Sequence, residues 1–532
     1  MTQLTFLTEA ESQALTNLKN REQYREQYWH KRDPILNDRL LWRAQTFRHL
    51  VHLIPHQTVL ELGAGQGAFT RQLLRVSRGE NPITSVAFNA DYARPEELSA
   101  SVEWLNLSTF LDSLAGRSFD CVVVMELLDK NNYVWFFQVV YELLKPGGQI
   151  VFYESNPWNV VLKLRRSLSK LFGHRDARQL LQRSQLYELI SELGFIRVFT
   201  VFNDFVYAPL TLSLAWLLRN MSILLENTPG IQTLAGSILI YAQKPSYFVR
   251  GPQISLCRHK QLHQAISVVI PCHNEEMNIT PLLTQLKAFF NDYIYEIIPV
   301  DDNSTDKTRE VIQKLAQEDP RIKPVWRSPP NGVGRAIADG YRVVTGKYIL
   351  SMDCDFQHLI PEMRDLFDAA AEGYDVVVGS RFSRHSVLLN YPLAKIVVNR
   401  GFHALAQILL CRRFRDLTNN LKLMRREVVE RLQLTQPGFA VNAETGLQPL
   451  LLGYSVKEVP ISWINRTPNM GVSSFRLVKV GGGYWQVLFR LWLKTALGIE
   501  RKDSPKNHQQ SIKEKAIISK ERSCTSSWQI NR

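Results

Sequence analysis

Three apolar runs near the middle of the chain each stop at carboxylates. They read Ile266-Ser-Val-Val-Ile-Pro-Cys-His-Asn-Glu275, Glu296-Ile-Ile-Pro-Val-Asp-Asp-Asn-Ser-Thr-Asp306 and Tyr348-Ile-Leu-Ser-Met-Asp-Cys-Asp355. Helical stretches separate them, which is the pattern of βαβ units in a mostly parallel sheet. Ligands of such sheets bind beyond the carboxyl ends of the strands. Glu275, Asp301, Asp302, Asp353 and Asp355 are therefore predicted along one rim. Carboxylates gathered there repel one another unless a cation or a donor-rich ligand sits among them. A divalent metal carrying a nucleotide diphosphate meets both needs. At a strand end alternate residues share a face, so Asp353 and Asp355 should project together while Cys354 points into the fold.

These runs belong to a longer ordered set: Pro271-Cys-His-Asn-Glu275, Asp301-Asp-Asn-Ser-Thr-Asp306, Gly332-Val-Gly-Arg-Ala336, Asp353-Cys-Asp355 with Gln357 and His358, and Gly379-Ser-Arg-Phe382. An Asp-x-Asp alone is a weak signal. The whole set, in this order, resembles the family 2 glycosyltransferases of the GT-A fold over roughly residues 265–480. Two later runs, Arg415-Asp-Leu-Thr-Asn-Asn420 and Glu458-Val-Pro-Ile-Ser-Trp-Ile-Asn-Arg466, resemble the dolichyl/polyprenyl-phosphate mannose or glucose synthases within that family. The resemblance implies roles. Pro271, Glu275, Asp301 and Asp302 would meet the nucleotide sugar, GDP-mannose or UDP-glucose, and Arg335 would touch its phosphate. Asp353, Asp355 and Gln357 would hold Mg²⁺ or Mn²⁺, and Gly332 and Gly334 would admit the donor closely.

The acceptor decides the mechanism. A polyprenyl phosphate is already an anion and needs cations rather than a base. Lys395, Arg400, Arg413, Arg415 and Arg466 lie in the regions where the lipid-phosphate subgroup binds its acceptor. The Asp-x-Thr-Ser-Gly loop of that subgroup is here Asp416-Leu-Thr-Asn-Asn420, with Asn419 in place of the serine and the glycine lost. The alternative acceptor is a saccharide, glycolipid or protein hydroxyl, for which Glu444 in Ala440-Val-Asn-Ala-Glu444 is the candidate general base.

A second signature lies upstream, Thr58-Val-Leu-Glu-Leu-Gly-Ala-Gly-Gln-Gly67, where an apolar strand enters a glycine-rich turn before a helix. Phe119-Asp-Cys-Val-Val-Val-Met-Glu126, Leu143-Leu-Lys-Pro-Gly-Gly-Gln-Ile-Val-Phe152 and Gly194-Phe-Ile-Arg-Val follow it. Together they resemble a class I methyltransferase over roughly residues 40–245. That implies S-adenosylmethionine over Glu61, Gly63, Gly65 and Gly67. The family places an acid at the end of the second strand to grip the ribose hydroxyls, and Asn89 stands there instead, with Asp91 two residues on. Asn89 lacks the stronger acceptance of a carboxylate. Glu126, Asp129 and His174 are open as catalytic groups, and the methyl acceptor is unassigned. Asn89 also keeps a non-catalytic scaffold or sensor in view as the alternative for this half.

The expected fold is α/β with two doubly wound domains, a Rossmann-like methyltransferase domain followed by a GT-A glycosyltransferase domain. The expected boundaries are 1–245 with a helical lead-in, a linker at 246–264, 265–500, and a polar, disordered tail at 501–532. A formal net charge of +14 over 532 residues suits phosphorylated substrates or an anionic membrane face. No nucleic-acid motif accompanies the charge, so nucleic acid is not expected as a partner. Six cysteines without a Cys-x-x-Cys pair fit a reducing compartment. No signal peptide and no membrane span is expected, the nearest apolar stretches being Phe205 to Leu218 and Ile396 to Leu410, of which the second is the better membrane candidate. The expected location is cytoplasmic, peripheral at the cytoplasmic membrane face.

Overall fold

The structure, a computed structural model, describes residues 9–29, 33–98, 102–106, 114–160, 163–164, 179–206, 211–245, 255–355, 360–383, 385–389, 393–464 and 477–497. The tail 501–532 and linker residues 246–254 lie outside them, as do Gln357, His358, His174 and Arg466. The chain divides into two compact units. The first comprises Met1–Pro252 with Val387–Val397 and Ser462–Asn465; the second comprises Gln253–Ser386, Val398–Ile461 and Arg466–Arg532.

The first unit opens with helices α1 (Glu9–Trp29) and α2 (Pro34–Leu50). Asp33 caps α2 by accepting the Ile35 N–H, and proline takes its first turn. Strand β1 (Val59–Leu62) then runs through the glycine turn into α3 (Ala68–Ser77). The remaining strands are β2 (Ile83–Ala87), β3 (Val102–Asn106), β4 (Phe119–Met125), β5 (Leu144–Ser155), β6 (Ile196–Asn203) and β7 (Ser237–Gln243). They form one seven-stranded sheet in the order β3-β2-β1-β4-β5-β7-β6, with β7 alone antiparallel to its neighbours. Helices cover both faces. Val122 and Val124 of β4 enter one core, and Cys121, Val123 and Met125 enter the other. A strand buried on both faces reads as a continuous apolar run, which is why Phe119–Met125 was legible. The order reverses between β1 and β4, so the crevice for a ligand opens beyond the carboxyl ends of those two strands.

The second unit repeats the plan. Strands β8 (Ile266–Cys272), β9 (Ile294–Asp301), β10 (Val325–Trp326), β11 (Tyr348–Ser351) and β12 (Val376–Ser380) are joined by β14 (Lys422–Arg425) and β15 (Val456–Pro460). Their order is β10-β9-β8-β11-β14-β12-β15, and β14 alone runs antiparallel. The short strands β13 (Val387–Leu389) and β16 (Ser462–Ile464), which belong to the first unit, pair with each other. Here the order reverses between β8 and β11, which places the ligand crevice over the ends that carry Glu275 and Asp353. Among the described residues one helix, Leu393–Leu410, is long and apolar enough to cross a membrane by length and composition alone. Its Phe402, Ala406 and Leu410 pack into the core of the second unit, while Val397, Val398 and Ile408 are exposed.

Candidate functional site

β8 and β11 are parallel neighbours with Ser351 level with Val269. Asp353 and Asp355 therefore emerge beside the turn that carries Glu275. Asn420 Nδ2 donates to Asp353 Oδ1 at 2.7 Å, and Ser351 Oγ donates to Asn420 Oδ1 at 2.8 Å, which fixes the amide's orientation. Burial and then repulsion from Asp355 push the Asp353 carboxyl up to about 7, against the Asn420 bond and the Lys422 charge. Lys422 is fully buried at the start of β14, donating to the carbonyls of Asn419 and Asn442. Burial pushes its ammonium down to about 7, opposed by Asp416 and Asp353. Cys354 is buried beside Cys272.

Among the described residues no three His, Cys, Asp or Glu side chains form a metal cage. The donors present are two hard carboxylates forced together. That set fits a Mg²⁺ or Mn²⁺ ion, which keeps several waters and takes its other ligands from substrate phosphates.

The rim that carries Asp301 and Asp302 is tightly braced. Asp301 is buried and accepts from Ser304 N at 3.3 Å and Arg309 Nε at 3.2 Å. Asp302 pairs with the Arg327 guanidinium and accepts the Gly332 N–H at 2.6 Å. It therefore pins the start of the helix Val333–Val343. From the other side the Gly334 N–H donates to the Pro437 carbonyl at 2.9 Å. A Cβ on Gly334 would lie 2.1 Å from the Gln436 carbonyl oxygen. Gly334→Ala should thus displace the 436–438 loop and cost about 2 kcal/mol, read as a lower unfolding midpoint; an unchanged midpoint would contradict this packing. Pro271 is half-buried in β8, and Arg335 donates to the Asn331 carbonyl at 2.9 Å. The Glu275 N–H donates to Thr308 Oγ1 at 2.7 Å, and its carboxylate accepts from Asn278 at 2.6 Å.

In the 413–420 loop, Asp416 is buried and held by a two-pronged bond from Arg381, Nε at 2.8 Å and Nη2 at 3.0 Å. Although burial alone would raise it, Arg381 holds the Asp416 carboxyl well below the usual range. Glu458 accepts the N–H groups of Arg415 and Asp416. His403 Nε2 accepts the Leu417 N–H at 3.2 Å, so Nδ1 carries the proton and donates to the Asn399 carbonyl at 2.7 Å. Burial lowers its pKa, consistent with a neutral ring. Arg400 stacks on Phe382 and donates to the Arg415 carbonyl at 3.4 Å. Arg413 and Arg415 are exposed in the same turn. Glu444 is buried, accepting from Thr435 N at 2.9 Å, Thr435 Oγ1 at 2.7 Å, Gln436 N at 3.1 Å and Arg490. It anchors the loop that meets Gly334.

The first unit places its signature differently from expectation. Glu61 does not face the crevice: its Oε2 accepts from Thr70 Oγ1 at 2.6 Å and Ser85 Oγ at 2.8 Å, bracing β1 against α3 and β2. Burial pushes it up to about 7 from 4.5. The fold thus favours its protonated form, a contribution complete below the unfolded value and lost as pH rises through about 7. Glu61→Gln should flatten that dependence by about 3 kcal/mol between pH 5 and pH 8, measured by urea unfolding. An unaltered pH dependence would contradict it. Gly63, Gly65 and Gly67 all take positive φ, as a tight turn requires. The donors of this turn are already engaged. Gly65 N donates to Glu22 Oε1 at 3.0 Å, Gln66 N to Glu26 Oε2 at 3.1 Å, and Asn89 N to Glu22 Oε2 at 2.8 Å. The Asn89 amide oxygen accepts the Asp91 N–H at 3.2 Å. Glu126 is tied to Arg43 at 2.9 Å and Trp29 Nε1 at 3.2 Å. The residues present here do not fit S-adenosylmethionine with α1 in place.

Two doubly wound α/β units, the second with a carboxylate pair at its switch point, place a ligand crevice over the carboxyl ends of the central strands. Residues 267–433 match the family described as Glycosyl transferase family 2. The chain is 30% identical over 217 residues to "Polyprenol monophosphomannose synthase" of Mycolicibacterium smegmatis, covering 40% of this chain and 80% of the relative. It is 31% identical over 202 residues to "Dolichol-phosphate mannosyltransferase" of Pyrococcus furiosus, covering 37% of this chain and 56% of the relative. The chain belongs to glycosyl transferase family 2. Solved structures give weaker likenesses. One is a Mycobacterium tuberculosis glucosyl-3-phosphoglycerate synthase with Mn²⁺ and UDP-glucose, at 20% identity and TM-score 0.31 over 43% of this chain and 77% of that one. Another is an Archaeoglobus fulgidus SAM dependent methyltransferase, at 18% identity and TM-score 0.29 over 41% of this chain and 97% of that one. Likenesses at this level carry no functional weight.

Proposed function

We propose that the second unit transfers a hexose from GDP-mannose or UDP-glucose to a polyprenyl phosphate at the cytoplasmic face of a membrane. The observation that carries this is the direct join between the carboxylate pair and the acceptor-side loop: Asn420 bonds Asp353, and the buried Lys422 feels the charges of both Asp416 and Asp353. The names of the two relatives, one a polyprenol and one a dolichol enzyme, support the same acceptor class. A divalent cation held by Asp353 and Asp355 would neutralise the leaving diphosphate. The protein's own work is positioning. Asp302 and the Gly334–Pro437 bond fix the start of the donor-side helix. Arg381 and Glu458 lock Asp416 and the backbone of the loop. Arg400, Arg413 and Arg415 gather positive charge where an anionic acceptor needs it. No base is required, because the acceptor oxygen is already ionised.

The hydroxyl-acceptor reading rests on Glu444, whose carboxylate is occupied by loop 435–436 and Arg490. Glu444→Gln discriminates. Loss of a general base would lower kcat by about 10² to 10⁴. Loss of an anchor should lower the unfolding midpoint while kcat stays within about tenfold, which is the expected result. The first unit has the strand order of class I methyltransferases. It contributes no methyl transfer to this reading, because α1 occupies its glycine turn.

A further inference from the structure

Helix α1 buries an unusual stripe. Leu18, Arg21, Glu22, Arg25, Glu26 and Trp29 are all at most 6% exposed. Their spacing is that of one helical face, yet four of the six are charged. Such burial is tolerated only where each charge finds partners, and the partners here are the rim of the first unit's sheet. Arg25 donates to the carbonyls of Gly63 at 2.6 Å, just past β1, and Met125 at 2.7 Å, the last residue of β4. Arg21 donates to Leu128 O at 2.8 Å. Arg25 and Glu26 pair at 2.9 Å. The single Glu22 carboxylate bridges the glycine turn and the end of β2, taking Gly65 N and Asn89 N together. Glu26 fills the space that the missing side chain of Gly65 leaves: a Cβ there would lie 2.2 Å from its Cδ and Oε1.

These groups are what a nucleoside ligand would use. A glycine turn offers backbone N–H groups and close approach, and the resemblance to class I methyltransferases implies that the end of β2 would hold ribose hydroxyls. We propose that α1 is an internal occupant of this pocket: Glu22 and Glu26 take the donors of the glycine turn and of Asn89, so that docking of α1 and binding of S-adenosylmethionine exclude one another. Asn89 agrees with this. An acid at that position would stand against Glu22, whereas the neutral asparagine side chain adds no negative charge beside the backbone N–H that Glu22 accepts.

The test uses the full chain. Binding of S-adenosylmethionine is measured by calorimetry for the native protein and for a Glu22→Ala, Glu26→Ala double variant, with circular dichroism to check that the variant folds. Amide exchange of α1 is followed with and without ligand. The proposal expects the variant to bind at least about 100-fold more tightly, the penalty of a pocket open only about 1% of the time. A folded variant that binds no better than native overturns it, because the carboxylates then are not what excludes the ligand. If the variant does not fold, the native chain decides. Ligand bound while the α1 amides stay protected overturns the proposal. Uptake only with α1 exposed, or no uptake with α1 protected, supports it.

Discussion

Asp355→Ala should lower kcat/KM for hexose transfer by about three orders of magnitude, without loss of fold stability. Charge stabilisation by a bound cation is worth several kcal/mol, and each 1.36 kcal/mol is tenfold in rate. Repulsion from Asp355 leads, after burial, the causes that raise the Asp353 carboxyl. Removing Asp355 relieves that repulsion, so the metal-free protein should unfold at the same temperature or higher. This split between activity and stability is the signature of a site held under electrostatic tension for a ligand. A variant that keeps activity within tenfold, or that loses stability in proportion to activity, would show that the two acids are structural.

Asp416→Asn should have the largest effect on stability. The carboxylate is fully buried and takes three bonds from Arg381: the backbone N–H, Nε and Nη2. Neutralising it leaves the Arg381 charge buried without its partner, which costs about 3–5 kcal/mol. For a unit of this size that is a fall of roughly 10 °C in the unfolding midpoint. The sign with pH is fixed by direction. The folded state depresses the Asp416 pKa, so its contribution is present above the unfolded value and lost as pH falls towards the folded one. The native second unit should therefore lose stability in acid more steeply than the variant. Equal midpoints at neutral pH, or equal acid profiles, would contradict the pairing. Transfer activity should also fall, because Arg381 and Asp416 together set the loop that reaches Asp353 through Asn420.

What the sequence revealed follows from periodicity. Runs such as Phe119–Met125 and Ile266–Cys272 are apolar without interruption because both faces of their strands are covered. The acids at strand ends locate the rim once the sheet is parallel. What it concealed are partnerships between distant residues. Asn420 reads only as a lost glycine, yet it is the bond to Asp353. Glu444 reads as a candidate base, but the structure commits it to a loop and to Arg490, 46 residues away. Lys422 sits in an ordinary strand sequence and carries no motif. The alternating Arg and Glu of α1 resemble a solvated helix face, since such i, i+4 pairs usually are. Only the tertiary fold shows that this face lies against the glycine turn. Glu61 was misplaced for a related reason: a strand position next to a glycine turn has two faces, and spacing alone did not say which one it used.

The most direct measurement is transfer of labelled hexose from GDP-mannose or UDP-glucose to polyprenyl phosphate and to the matched polyprenol, with Mg²⁺ or Mn²⁺ and with the metal chelated. Labelled lipid is expected from the phosphate only, from one of the two donors, and only with metal. Labelling of the polyprenol, or metal-independent transfer, would contradict it.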